Sequence, residues 1–135
     1  MFCIDLYIMP ITNLPVPNRK GFMEMLEQNK SVLIFKFGAE WCAPCQKIKN
    51  DVHILMANMP EEITCFDVDI DDSFDLYAYL KSKKIVNGVP CLLAYFAGNT
   101  TFAPDEVVLG SRMTEINYLF EISLAKYQEL QNSLS

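Results

Sequence analysis

Positive charge is scarce in this chain: eleven Lys and Arg stand against seventeen Asp and Glu, a net charge of −6. The one short basic stretch is Lys81-Ser82-Lys83-Lys84, so a nucleic acid, whose phosphates need clustered cations, is not an expected partner. Long apolar runs are also missing, and without about 20 consecutive apolar residues no helix is expected to span a bilayer. The segment Met1–Ile11 is apolar but carries Asp5, has no basic leading region and is followed by no small-residue cleavage pattern. It does not read as a signal peptide. There is a single histidine, His53, and no second CxxC or HxxxH pattern, so a zinc site would lack ligands. Five cysteines make an odd count, and Cys3, Cys65 and Cys91 show no framework spacing. A reducing compartment, the cytoplasm, fits that usage.

What is present is enough apolar material for one real core: 135 residues, 51% hydrophobic, are expected to form a single domain over 1–135. Its most informative stretch is Trp41-Cys42-Ala43-Pro44-Cys45, two thiols three positions apart. Ahead of it, Val32-Leu33-Ile34-Phe35-Lys36-Phe37-Gly38 has the composition of a strand buried on both faces of a parallel sheet. The cysteines then fall at a strand's carboxyl end and a helix's first turn, where unpaired N–H groups and the helix dipole stabilise a thiolate. Cys42 is the expected exposed nucleophile. Cys45, one turn on, is the shielded resolving thiol that attacks a mixed disulfide. Pro44 sits where its missing N–H costs nothing.

The remaining pattern places strands at Cys3–Ile8, Ile63–Ile70, Val89–Phe96 and Glu106–Leu109. Helices are expected at Arg19–Asn29, Gln46–Met59, from Phe74 through Leu80 with Asp72-Ser73 as N-cap, and Met113–Leu130. Gln131–Ser135 reads as a frayed tail.

This order, with WCAPC after the second strand, Val68-Asp69-Ile70-Asp71 on the third, Gly88-Val89-Pro90 before the fourth and Gly110 after the fifth, resembles the thioredoxin family. The resemblance implies an α/β fold, a central five-stranded mixed sheet flanked by about four helices, with a cis Val89–Pro90 bond facing the sulfurs. It implies a monomer without bound cofactor that reduces disulfides of protein substrates, its electrons supplied by a thioredoxin reductase or another dithiol donor. Trp41, Val89, Pro90 and Gly110 would line the substrate groove, with the Val89 backbone free to pair with an extended segment. The alternative reading is a binding module that keeps the groove and has little or no redox turnover.

One position departs from the family. Six residues before the nucleophile, where thioredoxins usually carry aspartate, stands Lys36, while Asp67 occupies a third-strand position that is often lysine in bacterial-type members. Lys36 shares a strand face with Val32 and Ile34, so it either pairs with Asp67 across neighbouring strands or extends its charge to water. The two are candidate modulators of the cysteines' ionisation. If Asp67 is buried as the partner, deleting Lys36 strands a carboxylate at a cost of about 3–5 kcal/mol. His53 lies roughly 12 Å along the helix from Cys45 and is assigned no role. Cys3, Cys65 and Cys91 read as small buried hydrophobes.

Overall fold

Residues 18–134 are described by a computed structural model; the expected strand Cys3–Ile8 lies outside them. The chain enters helix α1 (Arg19–Gln28) through Asn18, whose side-chain oxygen accepts the Gly21 N–H at 2.9 Å, and buries Phe22 and Leu26. Strand β1 (Val32–Gly38) is buried at every position, as its apolar run, interrupted by Lys36, predicts, and it is central to the sheet. Helix α2 (Ala43–Ala57) turns Cys45, Ile48, Val52 and Met56 inward, one residue per turn. It begins at Ala43, three residues before the apolar periodicity is visible, because Pro44 supplies a helix-compatible φ in the first turn.

Strand β2 (Ile63–Asp69), helix α3 (Phe74–Ser82), strands β3 (Cys91–Phe96) and β4 (Glu106–Leu109), and helix α4 (Met113–Leu134) complete the described chain. The sheet order is β2-β1-β3-β4, with β1 parallel to β2 and the other pairs antiparallel. Four strands are therefore described where five were expected. Three further expectations are corrected. Ser73 occupies the N-cap position of α3, but its hydroxyl makes no capping bond. Val89 and Pro90 precede β3, since ladder pairing starts at Cys91 opposite Phe37 and Leu109. Gln131–Leu134, read as a frayed tail, continues α4; no proline or glycine stops it.

Strand alternation divides the core between two faces. Leu33, Phe35 and Phe37 meet α1 and α3 side chains, with Phe35 stacked on Phe66 at 4.7 Å and edge-on to Tyr95. Val32 and Ile34 face Ile48, Val52 and Met56 of α2 and Ile116, Leu119 and Phe120 of α4. Each fully buried aliphatic or aromatic side chain contributes about 1.5–3 kcal/mol. By register, Val32, Ile34 and Lys36 stand opposite Ile63, Cys65 and Asp67. The sheet thus brings the only charged pair of that ladder to the end where α2 begins.

Candidate active site

Cys42 is the N-cap of α2: its φ of −94° and ψ of 108° are extended, and the Cys45 N–H donates to its Sγ at 3.2 Å. Cys42 and Cys45 are joined in a disulfide with their Cα atoms 5.2 Å apart. The N–H and the helix's positive end are aimed at Cys42 Sγ, an arrangement that favours negative charge on that sulfur. The expected contrast in exposure is small, with Cys42 at 6% and Cys45 at 2%. What separates the two sulfurs is their surroundings. Cys42 Sγ lies 3.7 Å from the Val89 carbonyl oxygen, beside the cis Val89–Pro90 bond. Cys45 faces inward, toward β1.

Of the residues expected to line a groove, Trp41 adjoins Cys42 in the chain and the Val89 oxygen lies against its sulfur. Trp41 is 68% exposed and donates its indole N–H to Asp71 at 3.0 Å, a tether that the sequence alone did not reveal. Pro90 accepts the Gly110 N–H at 2.9 Å, which joins the β4 turn to the Val89–Pro90 segment. Gly110 has φ +105°, in the region that L side chains avoid, so the backbone itself favours glycine there.

Lys36 resolves one open question: its side chain is 4% exposed, and its Nζ lies 3.4 Å from Asp67 Oδ1, so it does not extend to water. Asp67 is not fully buried, its side chain retaining 28% of its exposure, and its second oxygen meets His53 Nε2. His53, read from sequence as a helix residue without a role, is thus the third member of a Lys36–Asp67–His53 chain. Its reach toward Asp67 runs across α2 to the neighbouring strand, and distance along the helix axis carries no information about that. Gly38 stands beside both Lys36 and Cys45. A Cβ placed on Gly38 would lie 3.6 Å from Cys45 Sγ and 3.9 Å from Lys36 Cε. Around this point is a cavity of about 180 Å³ lined by Lys36, Gly38, Cys45, Gln46, Lys49 and Asp67.

Of the other described cysteines, Cys91 belongs to the same buried cluster as Cys42 and Cys45, whereas Cys65 belongs to the cluster on the other face of the sheet. Cys65 and Cys91 are free, buried thiols, each pushed up to about 12 by burial and so inert as nucleophiles at neutral pH. Cys3 lies outside the described residues. No group of three or more metal-ligating side chains occurs among the described residues.

The thioredoxin family model matches residues 14–117. This chain belongs to the thioredoxin family. It is 30% identical over 98 residues to thioredoxin 3 of Plasmodium falciparum, an alignment covering 70% of this chain and 48% of that protein. It is 29% identical over 69 residues to the thioredoxin of Oryctolagus cuniculus, covering 50% of this chain and 65% of that one. The chain therefore spans about half to two-thirds of the length of these relatives. Among solved structures, a Trichomonas vaginalis thioredoxin superposes with a TM-score of 0.67 at 17% identity, covering 84% of this chain and 97% of that one, and agrees in fold.

Proposed function

We propose that this member of the thioredoxin family is a thiol–disulfide oxidoreductase that reduces protein disulfides through a Cys42/Cys45 dithiol–disulfide cycle. The observation that carries this reading is the placement of Cys42 Sγ at the N-cap of α2, accepting the Cys45 N–H beside the Val89 carbonyl. In the reduced protein the Cys42 thiolate attacks one sulfur of a substrate disulfide, forming a mixed disulfide and releasing the first substrate thiolate. Cys45 then loses its proton and attacks Cys42 Sγ. The Cys42–Cys45 bond forms, the second substrate thiolate leaves, and two electrons have passed to the substrate.

Exposed Trp41, the Val89 backbone, Pro90 and the Gly110 turn are the proposed docking groove. The buried ammonium of Lys36 favours thiolate at the neighbouring sulfur, and Asp67 offsets its charge. A thioredoxin reductase or another dithiol donor restores the reduced form, and the protein acts as a monomer in a reducing compartment such as the cytoplasm. Two free thiols beside the CxxC pair support the choice of compartment.

Insulin-disulfide reduction driven by dithiothreitol tests the reading. Turnover that depends on Cys42 is expected; a reducible CxxC with no turnover would replace the reductase by a binding module. Equilibration with a glutathione buffer then gives the reduction potential, with a value near the thioredoxin range expected for a reductant.

A further inference from the structure

We infer that His53 is a positioning and proton-exchange residue for the resolving thiol, acting through Asp67 from the solvent side of the cavity beneath Cys45. The inference rests on the reductase reading above. In the resolving step Cys45 must give up a proton from a sulfur that is 2% exposed. Lys36 cannot take it, because an ammonium has no acceptor lone pair. Among the charged groups lining the cavity, Asp67 is the acceptor fixed in place by partners on both oxygens, Lys36 on one and His53 on the other.

The remaining charged groups that face this space are Lys49 from α2, Glu40 from the loop before it and Asp69 at the end of β2. None has a side-chain bond to Asp67. The cavity, at about 180 Å³, exceeds the ~30 Å³ share of one water several-fold, so water can carry the proton from Cys45 Sγ to the carboxylate. His53, whose side chain is 34% exposed, connects that carboxylate to bulk solvent. Histidine is suited to the place because one ring nitrogen can accept a proton while the other donates one.

The step balances as follows. The Cys45 S–H bond breaks, and its electron pair forms the bond to Cys42 Sγ. The bond from Cys42 Sγ to the substrate sulfur breaks with its pair on the leaving thiolate. The Cys45 proton goes to Asp67, His53 passes it to solvent, and the departing thiolate draws its own proton from water.

Stopped-flow reaction of the reduced protein with 5,5′-dithiobis(2-nitrobenzoate) separates the two steps. The first thionitrobenzoate is released by Cys42 attack and the second by Cys45. In His53→Ala and His53→Gln the ratio of second to first rate is expected to fall roughly tenfold, below the ~10²–10⁴ of a group that touches the proton directly. Imidazole added to the buffer should restore the His53→Ala ratio. A His53→Gln ratio equal to wild type would leave hydrogen bonding alone and overturn proton exchange, as would an imidazole-insensitive His53→Ala. A wild type that releases a single thionitrobenzoate would instead overturn the reductase reading, and this inference with it. Variants that match a wild type releasing two overturn the role of His53 alone.

Discussion

Replacing Asp67 by asparagine removes the carboxylate 3.4 Å from a lysine whose side chain is 4% exposed. At that separation, with an effective dielectric of about 20, two unit charges attract by about 5 kcal/mol before the desolvation of Lys36 is subtracted. Breaking a buried pair by removing one partner costs about 3–5 kcal/mol. Because Asp67 keeps 28% of its side-chain exposure and is shared with His53, the cost falls at or below the low end of that range, and Asp67→Asn should destabilise by about 2–3 kcal/mol. In urea, where slopes are about 1–3 kcal/mol per molar, the midpoint should drop by about 1–2 M.

The reciprocal change should behave differently. Lys36→Met deletes the desolvated charge, keeps an unbranched chain of similar volume, and leaves Asp67 with His53 and water. Its cost should stay within about 1 kcal/mol of wild type, as when a buried ion is replaced by a well-packed apolar group. Sequence alone attached the larger penalty to Lys36→Met on the condition that Asp67 was buried; the exposure of Asp67 moves the penalty to the other partner. The double variant should recover most of the Asp67→Asn loss. Equal losses for the two single variants, or an Asp67→Asn midpoint unchanged from wild type, would refute the claim that Lys36 depends on this carboxylate.

Cys42→Ser should abolish disulfide reduction, whereas Cys45→Ser should accumulate mixed disulfides detectable by intact mass; turnover by Cys42→Ser would reverse the assignment. Gly110→Ala should cost about 1–2 kcal/mol in a thermal or urea melt, since its φ of +105° disfavours any Cβ, and Gly110→Trp should slow insulin reduction more than reduction of a small disulfide. Equal loss on both substrates would remove Gly110 from the groove. Burial raises the thiols of Cys65 and Cys91 to about 12 against an ordinary 9.0, so between those values the unfolded chain sheds their protons and the folded chain does not. Their stabilisation is complete below pH 9 and is lost as pH rises toward 12, by up to about 1.4 kcal/mol per pH unit for each thiol. Urea midpoints of the Cys65→Ala/Cys91→Ala variant should decline less steeply over this window, and an unchanged slope would show that other groups govern it.

The frame was legible in the sequence where one physical signal dominated. Val32–Gly38 read as a strand covered on both faces, and it is buried throughout; the cysteine spacing indicated which end of that strand carried the chemistry. The parity of Lys36 with Val32 and Ile34 also placed it on the α2 side of the sheet, and its facing partner is Asp67, as the register requires. Contacts set by helix orientation were not legible. His53 follows inward-facing Val52 by one position, about 100° around the helix, and this turns its ring toward the β2 side. The dihedrals that favour glycine at 110 and the tether from Trp41 to Asp71 likewise arise from loops whose paths no periodicity encodes. One signal for His53 was present: it is the single histidine of the chain, on the helix that also carries Cys45.

The exchanged signs at Lys36 and Asp67 divide between two residues what one carboxylate beneath the resolving thiol would do alone. A buried carboxylate can accept the Cys45 proton, but its charge also opposes the thiolate it helps to create. Under the proposed roles the Lys36 charge favours the thiolate, while the acceptor, Asp67, keeps 28% of its side-chain exposure and meets His53. The two effects can therefore be perturbed separately. Lys36→Met should raise the pH at which the neighbouring thiol ionises, read from thiolate absorbance, while leaving the Asp67–His53 contact in place. His53→Gln should slow proton exchange while leaving the Lys36 charge untouched. If both substitutions moved the thiolate titration by the same amount and left the two-step rate ratio unchanged, the three groups would be acting only as a charge cluster, and the division of roles would be wrong.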